Sequence, residues 1–523
     1  MIRAVRLRKL LIEKKIKALR SIFKNPLLSI SIGILTLLIL TVFLATEATY
    51  NTIEATSLWV RNYFGAFYLY LGLGCVLLLL GIALSPLGSI RLGKSSQFPE
   101  HSFWAWIAML YSAGMGAGIL LRAVQEPVFM QQHPPYASQA TPDILALTYT
   151  FYQWGFTAWA FYGLFAMVIG YFLFTKKRKV LVSATLEDAV SQKPIKLGID
   201  ILTIITTVFG LVAAIGLGTT QINGGINHVF SANNGLYATL LLTTLISSLA
   251  LYSAWNGVKR GIKVISKINI RITLALLLFT FFNSDINMVL INFFKATWQY
   301  FIDFIPMSLA YGDYDPGIAF LTDWTYYYWA FWIAWAPFTG IFIARISKGR
   351  TLRQLSLGVL IVPSLGTFFW FSVFGSSAFQ LIEGWGGYQG EFSGVFSSLF
   401  IFFANYPMAT LLNLTTIVLL IGFLVTSVDS AVYVLSMFSD KGNKNPKKLH
   451  RLLWSIFLFL TTVAMILLGN AKPAVDVLVA AQKLLIITSL PFAFFMIFMT
   501  LLFLRQLIIQ KRLPRSGHEN SLN

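Results

Sequence analysis

The stretch SAGMGAGILLRAVQEPVFM, residues 112–130, breaks an apolar run with alternating glycines and closes on a proline and three more apolar residues. Each glycine in a helix interior costs about 1 kcal/mol relative to alanine, so Gly114, Gly116 and Gly118 predict a helix unwound in its middle. Unwound backbone at membrane depth survives only where it is buried or lines a cavity, and there its carbonyls can coordinate a cation or a polar ligand. The competing reading is a small-residue packing face through Gly114 and Gly118. Arg122, Gln125 and Glu126, close behind, weigh toward a site.

The rest of the chain supplies the membrane. With 57% hydrophobic and 11% charged residues and a mean hydropathy of +0.71, an ordinary soluble protein is excluded. About twelve apolar runs of spanning length recur, from 26–46 to 475–506. The first follows a basic segment but is long and lacks a small-residue cleavage site, which predicts a retained helix. A single cysteine, Cys75, excludes an intrachain disulfide framework.

The net charge of +20 does not point to nucleic acid, because the cations sit in alternate loops. Basic clusters precede the first span and recur at Lys176–Lys179, Lys259–Lys267, Arg345–Arg353 and Lys441–Arg451, while the intervening loops carry Asp143, Asp313, Asp315, Asp323, Glu383 and Glu391. This positive-inside pattern predicts an even number of spans with both termini cytoplasmic. The basic N-terminal segment is also suited to rest on anionic lipid.

Three further stretches carry chemistry. In DWTYYYWAFWIAWAPFTGIFIARISKGR, residues 323–350, Phe331 and Trp335 (i, i+4) and Trp329 and Trp332 (i, i+3) form neighbouring aromatic stripes. Ring faces attract cations, and a quaternary ammonium group gains about 2 kcal/mol or more per ring once water is excluded. Trp324 is expected at the membrane interface and Trp329 in packing. Trp332 and Trp335 lie well inside the span, where each indole N–H needs a partner.

In LVTSVDSAVYVLSMFSD, residues 424–440, Thr426, Ser427, Asp429 and Ser430 interrupt an apolar helix. Such hydroxyls either join free carbonyls in an oxygen cage for a hard cation or bond back to the i−4 carbonyl. SDINMVLINFFKATWQYFIDF, residues 284–304, reads as an interfacial amphipathic helix on the outer face. No His/Asp/Glu cluster with ligand spacing occurs, and His228 is expected in an outer loop, so an enzyme is disfavoured.

Taken together, AGMGAG followed by Glu126 and Pro127, FYQWGFTAWAFY (151–162), GLGTTQINGG (216–225), WAPFTGIFIARISKGR (335–350) and TSVDS (426–430) resemble the betaine/choline/carnitine transporter family. The matches run in order from about Ser102 to Asp440. The resemblance implies an all-α integral membrane protein of about 12 transmembrane helices with a LeuT-type core of two inverted repeats. The implied divisions are a basic cytoplasmic segment at 1–25, two peripheral helices at 26–98, a first five-helix repeat at 99–282, an interfacial helix and outer loop at 283–323, a second five-helix repeat at 324–506, and a cytoplasmic tail at 507–523.

Carried over position by position, the resemblance implies a substrate site of Phe331, Trp332 and Trp335 with Met115, Gly116, Gly118 and Arg122, and a separate aromatic vestibule of Trp154, Trp159 and Tyr162. It implies a Na⁺ site, for a coupling ion, at Ser112, Met115, Phe423, Thr426 and Ser427. The chain also departs from the family pattern. Phe331 stands where a Trp is usual, Gln153 replaces a His, and the segment from Leu211 to Ala214 lacks the hydroxyls of a second sodium site. Arg122 stands where an aromatic is usual, and Glu126, one turn on, is its expected partner. The alternative is that Arg122 grips an anionic group of the substrate.

The implied activity is import of a small zwitterionic or quaternary ammonium osmolyte by Na⁺ symport across a bacterial plasma (inner) membrane. A sodium-independent exchanger or proton-coupled carrier is the runner-up, and a ligand-binding osmosensor or receptor is the reading from another class. A homotrimer in the lipid membrane is the assembly the resemblance implies; no nucleic-acid partner is expected.

Overall fold

The computed structural model describes residues 24–94, 96–114, 116–256, 259–473 and 475–512. Helices dominate them, and among the described residues β pairing is confined to an isolated bridge between Arg91 and Thr351. Two outer helices come first, α1 (Pro26–Leu44) and α2 (Thr46–Leu84). Asn25 caps α1 by accepting from the Leu27 N–H, and Pro26 at the first helical position needs no such partner. The second helix starts at Thr46, where a buried stripe of Tyr50, Ile53, Ser57, Val60 and Arg61 carries it through a more polar first half.

The glycine-rich stretch is broken, as its composition predicts. It divides into α3 (Phe103–Gly114), α4 (Ala117–Arg122) and α5 (Gln125–Gln132), and the two arms are bent by 60°. A second break separates α6 (Pro142–Trp154) from α7 (Phe156–Gly170) at Gly155. There a Cβ would lie 2.5 Å from the Phe151 carbonyl oxygen and 2.8 Å from the Phe368 ring.

Long spans follow as α8 (Lys193–Phe230), α9 (Leu236–Asn256) and α10 (Lys259–Phe282). His228 lies in the last turn of α8, not in a loop, because the helix runs on to Phe230. Helix α11 (Ile286–Leu309) buries Val289, Asn292, Ala296, Tyr300, Asp303, Phe304 and Met307, a stripe at three- and four-residue spacing. Its other side exposes Phe294, Trp298, Phe301 and Ile305, so both faces are apolar.

The second half contains α12 (Tyr327–Ile346), α13 (Leu352–Gly384), α14 (Ala409–Ser439), α15 (Lys448–Leu468) and α16 (Val477–Arg512). A π-helical turn at Thr322–Tyr326 leads into α12. Among the described residues, 11 helical segments are long and apolar enough to cross a membrane, and the bent α3–α5 span makes 12. The chain is an all-α integral membrane protein.

Burial separates core from perimeter. In the most apolar window of α6–α7, 94% of residues are buried, against 22% in that of α9, so α6–α7 is central and α9 faces outward. Helix α12 lies along α7 in the most extensive helix pairing of the fold. Gly340 permits that approach: a Cβ there would stand 2.6 Å from Phe165 Cδ1 and 3.2 Å from the Ala166 nitrogen. Gly358 on α13 similarly admits Trp106 of α3, whose Cη2 would be 2.2 Å from an added Cβ. The Trp106 indole N–H donates to Ser347 Oγ at 3.0 Å, fixing the ring in that slot.

Overpacking at these contacts typically costs about 1–3 kcal/mol. Gly340→Val is therefore expected to lower the thermal midpoint of the detergent-solubilised protein. Gly33→Val, at a position with nothing within 4 Å of an added Cβ, should leave it unchanged; equal midpoints for the two variants would refute the α7–α12 packing argument.

Candidate functional site

Between α4, α7, α8, α12 and α14 lies a cavity of about 720 Å³. Its lining runs from Arg122, Tyr327 and Tyr328 at one end to Arg345, Tyr433 and Arg451 at the other. Along α12, Tyr327 and Arg345 are separated by about 27 Å at helical rise. The far end borders the basic segments. The near end is closed, because Gln125, Glu126 and Trp324 beyond Arg122 are buried.

Aromatic rings form the wall. Trp332 meets Trp154 edge-on at 5.1 Å and Tyr162 at 6.1 Å, and stacks with Tyr328 at 5.7 Å. Trp159 meets Tyr162 at 5.5 Å, while Phe331 stacks on Trp335 at 5.8 Å. Trp154, Trp159 and Tyr162, expected as a separate vestibule, thus line the same cavity as Phe331, Trp332 and Trp335. The break at Gly155 brings them there, by directing α6 and α7 past the same turn of α12. Tyr300 of α11 steadies that break, its hydroxyl accepting from the Phe156 N–H at 3.0 Å.

The indole N–H groups of Trp332 and Trp335 find carbonyl partners, whereas that of the buried Trp329 has none among the described residues. Trp332 Nε1 donates to the Gln153 carbonyl at 3.0 Å and Trp335 Nε1 to the Gly210 carbonyl at 2.9 Å. Gln153, the departure from His, donates through its side chain to Thr325 Oγ1 at 3.0 Å and so ties α6 to the π-helical turn. Trp329 has the packing role expected of it, fully buried against Tyr152 at 5.1 Å. Trp324 does not lie at an interface. It is 6% exposed, because the π-helical turn directs it inward against Phe129 and Phe320.

The expected Arg122–Glu126 ion pair is absent among the described residues. Arg122 Nη1 instead donates to Gln125 Oε1, and the guanidinium lies 4.8 Å over the Trp324 ring. Glu126 Oε2 accepts from Trp154 Nε1 at 3.1 Å and from the Tyr328 hydroxyl. A two-residue turn at Ala123–Val124 interrupts the helix between Arg122 and Glu126, and Gln125, the first residue of α5, is the partner that Arg122 takes. Tyr327 and Tyr328 were not singled out by sequence reasoning as site residues, and Gln125 was read only as weighing toward a site, not as the partner of Arg122. Tyr328 stands one turn before Trp332, a spacing that could have revealed it.

Gly116 and Gly118 line the cavity, Gly118 with room for the Trp154 ring 3.5 Å from a notional Cβ. Met115 lies outside the described residues. Of the remaining positions implied for a cation, Ser112, Phe423, Thr426 and Ser427 all border the cavity. Ser112 Oγ donates to the Met109 carbonyl at 2.9 Å, and Thr426 Oγ1 to the Gly422 and Phe423 carbonyls at 2.9 and 3.1 Å. Bonding back in this way uses the hydroxyl hydrogens and leaves oxygen lone pairs for a cation, so the donor set fits one. Gln221 Oε1 and Asn269 Nδ2, on the same wall, are buried and partnerless among the described residues.

The betaine/carnitine/choline family transporter model matches residues 26–512. The glycine betaine transporter OpuD of Bacillus subtilis is 35% identical over 460 residues, covering 87% of this chain and 88% of that one. The ectoine/hydroxyectoine transporter of Virgibacillus pantothenticus is 32% identical over 495 residues, covering 93% and 97% of the two chains. The high-affinity choline transport protein of Escherichia coli strain K12 is 32% identical over 482 residues, covering 90% and 70%. An aromatic-walled cavity beside a broken glycine helix, and matches of this extent, place the chain in the betaine/carnitine/choline transporter family.

Proposed function

We propose that this protein imports a small zwitterionic or quaternary ammonium osmolyte by Na⁺ symport, with alternating access at the aromatic cavity. The carrying observation is the junction of Trp332 with Trp154 and Tyr162. The Trp332 and Trp154 indole N–H groups are engaged at the ring edges. Those bonds use ring edges and leave the π faces to other contacts: Tyr328 stacks on Trp332, and the cavity side of the cluster is the part offered to an ammonium group, with protein around it excluding water. Met115, Gly116, Gly118, Phe331 and Trp335 complete the proposed substrate site, and Trp159 backs Tyr162.

For the coupling ion, Ser112 and Met115 on the α3 side and Phe423, Thr426 and Ser427 on α14 supply hydroxyl and carbonyl oxygens, the ligands a hard monovalent cation prefers. Because α3–α5 and α14 both move against the cavity in such a scheme, an ion between them links its own binding to substrate closure. The family's inverted-repeat core would carry the motion as rocking of one bundle against another. Charge asymmetry supports a bacterial inner-membrane orientation with both termini cytoplasmic, and the cavity, bordered by Arg345 and Arg451, then opens inward. The proposed assembly is a homotrimer.

Purified protein in liposomes should accumulate at least one of betaine, choline, carnitine or ectoine when a sodium gradient is imposed; failure with all of them would remove the proposed substrate class. Thr426→Ala combined with Ser427→Ala should abolish the sodium dependence, and uptake still equally sodium-dependent would exclude those oxygens. Loss of one desolvated cation–π face, worth about 2 kcal/mol, corresponds to roughly a 30-fold weaker binding. Trp332→Leu should show a loss of that order by titration with the transported ammonium compound, and an unaltered affinity would take Trp332 out of the site.

A further inference from the structure

We infer that Arg122 is the residue that selects a carboxylate on the substrate, so that this transporter prefers ammonium carboxylates to ammonium alcohols of the same headgroup. The inference rests on the aromatic site of the proposed function and names the other end of its ligand.

Arg122 is 4% exposed, yet it lines the cavity. A guanidinium buried to that degree needs an anion or a full set of acceptors. Among the described residues no carboxylate lies within ion-pairing distance, Glu126 acts on it only at longer range, and its hydrogen bonding is confined to Nη1 and the neutral Gln125 amide oxygen. The Trp324 face 4.8 Å away orients the plane of the group without neutralising it. Nε and Nη2 remain without a hydrogen-bond partner among the described residues.

Glu126, the carboxylate that should neutralise Arg122, is held off. Trp154 and Tyr328 both donate to its Oε2, and its Oε1 is buried without a partner. The two charges are thereby fixed apart, the negative one behind the aromatic cage and the positive one at the cavity's closed end. Polarity of this kind complements a zwitterion. An ammonium against Trp154 and Trp332 sits beside the Glu126 side of the cluster, and an anionic tail directed past α4 meets the open N–H groups of Arg122.

The spacing suits a short molecule. Gly118 faces Trp154, whose Cη2 would be 3.5 Å from a Cβ there, and Arg122 follows Gly118 by about one helical turn, about 5.4 Å. A ligand bearing a hydroxyl in place of the carboxylate would bring its ammonium next to a fixed cation and gain no charge-assisted bond.

Glycine betaine and choline share a trimethylammonium group and differ in this tail, so they are the probes. Calorimetric titration of the full chain in nanodiscs, with sodium present, should show glycine betaine binding at least about tenfold more tightly than choline. Arg122→Gln should bring that ratio close to one by weakening glycine betaine alone, and Arg122→Lys, which keeps the charge but not the planar fork, should fall between. Equal wild-type affinities, or variants that weaken both ligands by the same factor, would overturn the inference and leave the aromatic site standing. If Arg122→Gln does not fold, the wild-type ratio and Arg122→Lys decide the matter. Folded wild-type protein that binds neither ligand would instead sink the proposed function, and this inference with it.

Discussion

Polar groups inside a membrane protein have to be satisfied by the protein itself, and much of this structure follows from where its indole N–H groups are sent. A tryptophan whose N–H reaches a fixed acceptor cannot rotate, so the hydrogen bond sets the face the ring presents. Trp332 is held by the Gln153 carbonyl, Trp335 by the Gly210 carbonyl and Trp154 by Glu126. Those acceptors lie on α6, on α8 and on α5, so three elements are tied into one aromatic wall. One of them is a backbone carbonyl available because a helix breaks nearby: Gln153 stands just before the Gly155 break.

The same constraint governs the charges. An arginine and a glutamate four residues apart on a continuous helix would have neutralised each other. Here a short turn lies between them, and they form a buried couple without a direct ion pair, each bonded to neutral partners. Gln125 and Trp324 on one side and Trp154 and Tyr328 on the other hold it in place.

Much of the fold was legible beforehand. The apolar runs and the glycine break needed only length and composition, since a bilayer of fixed thickness leaves few ways to satisfy a backbone. The residues the motifs pointed to also meet at one cavity: Gly116, Gly118, Arg122, Trp154, Trp159, Tyr162, Phe331, Trp332 and Trp335 all border it. Their division into cage and vestibule was not legible, because one turn of α12 receives both sets only through the Gly155 break. Trp324 was misplaced for a related reason: five residues wound as a π-helix shift its direction relative to an α-helix, and hydropathy does not register that turn.

The sequence by itself determined that this chain spans a membrane about twelve times, which helix breaks, and which residue types are suited to a cation or a zwitterion. These follow from periodicity, apolar length and the cost of glycine in a helix, all local properties. Tertiary structure alone decided the partners. Whether Arg122 meets Glu126 or Gln125, and whether Trp154 stands in a vestibule or against Trp332, depends on helix kinks of a few residues and on contacts between segments far apart in the chain, where no local pattern specifies direction.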